Sequence, residues 1–253
     1  MNDYIEKLSE YYNKFNENKR LDRRHGQVEF FTSMNYIHQY LTKNDKIVDI
    51  GAGSGKYSIA LKNEGYDVTA VELLKTNIGK IKNNDSSLKI IQADARDLSM
   101  FDDEEFDIVI MFGPMYHLYS KRDRVKALKE AKRICKKYIF VTYIMNEYSV
   151  IEYAFKENHY KEVKNKLDDS FHIYDKDGLF FQVRIEDIND LNDECELKLI
   201  KRFASDGPSD YMRQYINNMD DETFKAFIDF HLKTCERKEL LGASSHIVDI
   251  LKK

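Results

Sequence analysis

Three glycines stand at alternate positions in the run Val48-Asp49-Ile50-Gly51-Ala52-Gly53-Ser54-Gly55-Lys56-Tyr57, between an apolar stretch and a helical pattern. Glycine lets a backbone turn tightly and approach a ligand closely, and a helix that starts just beyond presents free N–H groups. A nucleotide-like ligand is therefore implied. Glu72 closes the next apolar run, Asp67-Val68-Thr69-Ala70-Val71-Glu72-Leu73, roughly 20 residues past the first glycine. A carboxylate there can accept hydrogen bonds from both hydroxyls of an unphosphorylated ribose. A third run ends in Gln92-Ala93-Asp94-Ala95, where Asp94 suits an exocyclic amine beside the backbone N–H of Ala95. A fourth ends near Phe112-Gly113, followed by Tyr116 and His117, which are candidates for proton transfer.

Dinucleotides and S-adenosylmethionine both suit such a loop. The dinucleotide fingerprint has a third glycine at the position filled here by Lys56. Asp49, close behind the loop, would repel a pyrophosphate and attract an ammonium. The residues favour a cationic ligand that carries an amino-acid group.

Positioning these residues requires short Val/Ile-rich strands alternating with helices. The runs KIVDI, DVTAVEL, LKIIQAD, FDIVIMF and YIFVTYI are read as strands, with helices over 56–64, 75–83 and 122–136 between them. Such alternation builds βαβ units and a parallel sheet covered on both faces. Ahead of it, Tyr4, Ile5, Leu8, Tyr11, Tyr12 and Phe15 recur at helical spacing. A basic cluster over 19–25 comes next, and then a helix with Val28, Phe31, Met34, Ile37 and Leu41 on one side. Residues 146–193 interrupt the rhythm with a helical stretch and a hairpin signal at Asp177-Gly178. The tail holds CELKLIKRF, a helix over 222–235 and SSHIVDILKK, enough for two further strands. The chain thus divides into N-terminal helices (1–44), a ligand-binding core (45–145), a cap insertion (146–193) and strands that complete the sheet (194–253).

A chain of 253 residues with 33% charged and 42% hydrophobic residues, 10 Gly and 2 Pro is neither collagenous nor disordered. Its net charge of −4 offers no global field for nucleic acid or an anionic membrane. No run approaches the roughly 20 apolar residues of a membrane span, and the N-terminus lacks a signal-peptide core, so a cytoplasmic location is expected. Cys135, Cys195 and Cys235 are too scattered for a zinc or disulfide framework and are read as buried small hydrophobes. No metal site is expected.

The segments VDIGAGSG (48–55), VTAVEL (68–73), QADARDL (92–98) and FDIVIMFGPMYHL (106–118) occur in the order and at the spacings of a known family. They resemble the class I S-adenosylmethionine-dependent methyltransferases of the small-molecule type. The resemblance implies a Rossmann-like, doubly wound α/β fold whose seven-stranded sheet is mostly parallel with the last strand antiparallel, under a helical and hairpin lid. It implies that Gly51, Ala52, Gly53, Ser54 and Gly55 line the methionine and ribose of the cofactor. Asp49 would hold the loop on the amine side, and Glu72, with Leu73 beside it, would take the ribose. Asp94, Ala95 and Arg96 would surround the adenine, while Phe112 and Gly113 would face the amine and the sulfonium. Tyr11, Tyr12, Arg20 and Arg24 would reach the donor carboxylate from the lid.

The activity this implies is methyl transfer to an oxygen, nitrogen or carbon nucleophile of a small molecule, releasing S-adenosylhomocysteine. It needs in-line alignment and exclusion of water, with His117 or Tyr116 as a base where the nucleophile carries a proton. Gly113-Pro114-Met115-Tyr116 departs from the Asn/Asp-Pro-Pro-aromatic motif of nucleobase and glutamine amino-methylases. The alternatives are an RNA methyltransferase using the 19–25 cluster, an NAD-dependent oxidoreductase, and a non-catalytic cofactor-binding protein. A monomer or homodimer that spans no membrane is expected.

Overall fold

The computed structural model describes residues 2–14, 21–156, 158–175 and 178–253. One sheet organises them. Its strands lie in the order β3-β2-β1-β4-β5-β8-β7, with β1 at Lys46–Ile50, β2 at Asp67–Glu72, β3 at Lys89–Gln92, β4 at Phe106–Met111, β5 at Cys135–Met145, β7 at Lys198–Ala204 and β8 at His246–Lys252. β1 to β5 are parallel to their neighbours, whereas β8 runs antiparallel between β5 and β7. Seven strands are expected from the sequence and an eighth is present. The two residues of β6, Gln182–Val183, pair parallel with Ile144 and Met145, where β5 continues past its pairing with β4.

The central strands are apolar on both faces because helices cover both. Ile47, Val48, Ile50, Ile108, Val109 and Ile110 are fully buried, and each such side chain is worth about 1.5–3 kcal/mol relative to exposure. Helix α1 spans Asn2–Lys14, α2 Arg24–Tyr40, α3 Lys56–Asn63, α4 Lys75–Asn84 and α5 Lys121–Ile134. Ser120 caps α5 by accepting from the Asp123 N–H. The charge pair Arg202–Asp249, with Asp249 fully buried, joins β7 to β8.

The cap differs from its expected form. Helix α6, Asn146–Ser149, widens into a π-helical turn over Val150–Lys156, and a short helix α7 follows at Tyr160–Val163. Asp177 lies outside the described residues. The runs flanking it do not form a hairpin together: Ile173 bridges to Leu167, and Gln182–Val183 joins β5. β5 offers those two residues a free sheet edge, which a two-stranded ribbon on its own lacks. Helix α8, Ile185–Glu194, leads back to β7, after which come α9 (Arg213–Asn217), α10 (Asp221–Thr234) and α11 (Lys238–Leu241). The three cysteines are free and buried.

Candidate active site

Parallel strands that leave β1 in opposite directions across the sheet open a crevice at their C-terminal ends. Gly51, Glu72, Ala93 and Gly113, at or just past the ends of β1 to β4, line a cavity of about 340 Å³ there. Gly51 is held by its N–H to Val71 O at 2.8 Å, at a φ of +73° that favours glycine. A Cβ on it would lie 2.7 Å from Pro114 Cδ, so the loop and the turn after β4 touch through this missing side chain. Gly53, at φ +59°, would direct a Cβ into open space.

Glu72 organises the loop. Its Oε2 accepts from the Gly53 N–H and its Oε1 from the Leu74 N–H, both at 2.8 Å. Burial holds its carboxyl above the usual glutamate range, and these hydrogen bonds oppose that shift. Leu73 lines the cavity with it, as does Asn77 from α4, which sequence reasoning missed. Asp94 does not stand alone: Oδ1 accepts from Arg96 N and Nε, and Oδ2 from Arg96 Nη2 at 2.6 Å. Burial raises the Asp94 carboxyl, but the guanidinium outweighs this and leaves it below its ordinary value. Arg96 also donates to Asp123 at 3.1 Å, tying the end of β3 to the start of α5 across the cavity. Ala95 lines the cavity as expected.

Asp49, Ala52, Ser54, Gly55 and Phe112 support this wall from behind. Gly55 starts α3, the Ser54 carbonyl accepts from Asn84, Ala52 packs on the core, and Phe112 packs edge-on against Tyr57. Asp49 is buried and accepts from the Ser58 hydroxyl at 2.6 Å. Burial pushes its carboxyl up to about 6; the Ser58 hydrogen bond lowers it and the Glu72 charge raises it. A folded-state value above that of the unfolded chain means that the native state favours protonated Asp49. That contribution is fully present below about pH 4 and is lost as the pH rises through about 6. Asp49→Asn, which keeps an acceptor for Ser58, is therefore expected to melt above the parent at pH 8 and together with it at pH 4. Thermal unfolding at the two pH values checks this, and an equal or lower melting temperature at pH 8 would refute it.

Helix α1 closes the cavity from above with Tyr4, Ile5, Leu8 and Tyr12. The Tyr4 hydroxyl donates to His117 O at 2.7 Å, and Lys80 of α4 donates to Tyr12 O at 2.5 Å. Below it, Arg124 secures the strand-end loop by donating to Leu118 O and Tyr119 O while stacking on Phe181 at 3.9 Å. His117 lines the cavity with both ring nitrogens engaged. Nδ1 faces Leu179 O at 2.9 Å and must donate there, so Nε2 accepts from the Tyr12 hydroxyl at 2.8 Å. The Tyr116 hydroxyl donates back to Phe112 O at 2.9 Å.

Tyr12 also borders a second, larger cavity of about 670 Å³. Tyr11, Tyr116, Tyr148, Tyr153 and Phe180 give it aromatic walls, and Arg23, His25, Asp210, Arg213 and His246 bring polar groups. Tyr11, expected at the cofactor, lies on this wall instead, edge-on to Phe180 at 5.2 Å. Arg24 is not brought to either cavity: it pairs with Asp221 at 2.5 Å and lies over Phe224. Its neighbour Arg23 reaches the larger cavity, and Arg20 lies outside the described residues. The start of α2 turns one arginine to the cavity and the next to α10, a choice that packing makes and local sequence does not. No sequence signal marks Tyr148, Asp210, Arg213 or His246, which come from segments distant in the chain.

A mostly parallel open sheet with a glycine loop, a carboxylate at the second strand end and a crevice over four strand ends is an arrangement common to nucleoside-binding α/β domains. Residues 48–140 match the family model described as a methyltransferase domain. A glycine/sarcosine N-methyltransferase of Parasynechococcus marenigrum is 37% identical over 95 residues, 36% of this chain and 34% of that protein. A ubiquinone biosynthesis O-methyltransferase of Rickettsia typhi is 28% identical over 120 residues, 45% of this chain and 48% of that protein. The chain spans less than half the length of the curated relatives it matches. A solved S-adenosylmethionine-dependent methyltransferase of Methanosarcina mazei shares the fold, with TM-score 0.58 and 19% identity over 86% of this chain and 96% of its own. Over residues 48–140 the chain is thus similar to the methyltransferase domain family, and its fold is shared by solved S-adenosylmethionine-dependent methyltransferases.

Proposed function

We propose that the protein transfers the methyl group of S-adenosylmethionine, held in the smaller cavity, to a nucleophile on a small molecule held in the larger one. The observation that carries this reading is the meeting of the two cavities at Tyr12, beside the turn that holds Tyr116 and His117. The smaller cavity suits the donor: Gly53 leaves open space before the loop, and Glu72 and Asp94 offer acceptors at adjacent strand ends. The larger falls within the range of small-molecule pockets. When bound, the donor supplies an electrophilic methyl group on a sulfonium.

The protein's own part is alignment and shielding. Glu72 would hold the ribose, Asp94 with Ala95 and Arg96 the adenine, and the Gly51–Gly53 backbone the amino-acid end. Tyr4 and Tyr12 of α1 keep water from the reacting atoms, and His117 fixes the Tyr12 ring at the border of the two cavities. Holding the reactants in near-attack geometry supplies much of the rate in such displacements. No helix of the described residues is long and apolar enough to cross a membrane.

Titration calorimetry of the chain with S-adenosylmethionine, S-adenosylhomocysteine and NADH tests the donor assignment. Micromolar binding of the two sulfur ligands and none of NADH is expected, whereas binding of NADH alone would replace this reading by an oxidoreductase.

A further inference from the structure

We propose that the methyl acceptor carries an oxyanion, a carboxylate or a phosphate, which Arg23 and Arg213 bind on the wall of the larger cavity; the inference rests on reading that cavity as the acceptor site. Both arginines line it, one from the residue that precedes α2 and the other from the start of α9. Packing brings the two segments together. Asn217, at the end of α9, accepts through Oδ1 from the His25 N–H at 3.2 Å and meets His25 Nδ1 at 3.0 Å. Residues four apart share a helix face, so Arg213 stands one turn before Asn217 on the side of α9 that meets α2. Arg23 precedes His25 by two residues, and all four side chains border the same cavity.

Arg213 is held in place by its neighbours. Its Nη2 donates at 2.7 Å to the Tyr148 hydroxyl, which in turn donates to Asp210 at 3.3 Å. Its Nε reaches Asp210 at 3.5 Å, and its Nη1 lies 3.7 Å from Glu152, beyond hydrogen-bond distance. Asp210 thus balances the charge of Arg213, while Nη1 retains donor capacity. Arg23 differs: it is exposed and pairs with no carboxylate among the described residues. Its two sequence neighbours are paired, Asp22 with Lys56 at 2.7 Å and Arg24 with Asp221 at 2.5 Å. Other carboxylates near the cavity are committed elsewhere. Glu152 accepts from Lys156 on both oxygens at 2.8 Å, Asp206 accepts from the Ser244 hydroxyl at 2.5 Å and the His246 N–H at 3.0 Å, and Glu29 gathers with Asp206 at His246, within 4.8 Å. Arg23 therefore meets the cavity with its charge unbalanced by a neighbouring carboxylate. A planar guanidinium binds a carboxylate or a phosphate through two parallel hydrogen bonds, and two such groups on one wall select for an anion. Tyr11 and Phe180, edge-on at 5.2 Å, offer the rest of the acceptor an apolar wall. The oxyanion takes no part in the transfer; it decides which acceptor is held.

Transfer of labelled methyl from S-adenosylmethionine is measured with a deproteinised small-molecule extract, divided into portions left untreated, esterified in acidic methanol, or digested with alkaline phosphatase. Esterification masks carboxylates, and the phosphatase removes phosphate monoesters. Loss of acceptor activity on esterification, restored by alkaline hydrolysis of the esters, is expected for a carboxylate; loss on phosphatase digestion alone is expected for a phosphate. Arg23→Gln is expected to raise the extract concentration that gives half-maximal transfer by about 10- to 100-fold, as loss of a charged hydrogen bond does, with donor affinity within twofold of the parent. Arg23→Lys, which keeps the charge but not the fork, is expected to recover part of that loss. Arg24→Gln removes the same charge one residue away, outside both cavities, and is expected to shift the half-maximal concentration by less than twofold. Acceptor activity that survives both treatments, or an Arg23→Gln protein that departs from the parent no further than Arg24→Gln does, would overturn the proposal. Tight donor binding with no transfer to the untreated extract would instead overturn the acceptor reading itself.

Discussion

Gly51→Ala is expected to abolish measurable donor binding, a loss of more than about 100-fold, and turnover with it. The alanine would have to adopt φ +73°, a region that costs an L-residue about 1–2 kcal/mol. Its Cβ would also press to 2.7 Å from Cδ and 2.8 Å from Cγ of Pro114. A proline ring cannot swing aside as a long side chain can, so either the loop after β1 or the turn after β4 must move. Both line the smaller cavity. Displacements of about 1 Å at such a site cost on the order of 100-fold. Calorimetry with S-adenosylmethionine, beside a thermal melt to verify folding, checks the result. A folded Gly51→Ala protein that binds within threefold of the parent would remove the loop from the donor site.

Glu72→Gln is expected to weaken donor binding by about 10- to 100-fold, although the side chains match in shape. Each carboxylate oxygen already accepts one backbone N–H, from Gly53 and from Leu74. An amide has only one oxygen, so its NH₂ group must face one of these donors. A buried donor left without an acceptor costs about 1–3 kcal/mol. Bound ribose adds to the effect, since the remaining acceptor capacity of both carboxylate oxygens is what the hydroxyls would use. The change should appear in the dissociation constant for S-adenosylhomocysteine as much as for the methylated donor, because the two share the ribose. A selective loss of one ligand would show that Glu72 acts elsewhere.

The smaller cavity is legible in the amino-acid sequence because it is built from strand ends. In a parallel sheet every strand finishes on the same edge, so residues that close consecutive apolar runs converge without further information. Gly51, Gly53, Glu72, Ala95 and Gly113 follow from this rule, and the cavity contains them. Where the rule gives only proximity, side-chain chemistry decides the rest. Asp94 is expected to face an adenine amine and does lie at the cavity, yet Arg96 already holds it on both oxygens.

The larger cavity obeys no such rule. His25 lies on α2, Tyr148 on α6, Asp210 and Arg213 beyond β7, and His246 at the start of β8. No local spacing relates these positions. Strand pairing relates them: β8 inserts antiparallel between β5 and β7, which sets His246 opposite Ile144 and places its N–H on Asp206. The sequence by itself determined the alternation of strands and helices, the glycine loop and the carboxylates at the strand ends, all of which follow from hydrophobic period and short-range order. The tertiary structure decided which of Arg23 and Arg24 reaches a cavity, that His117 spends both nitrogens on its neighbours, and that a buried aspartate stands behind His246. Those outcomes depend on which distant surfaces pack together, and the energy that selects among them is spread over the whole core.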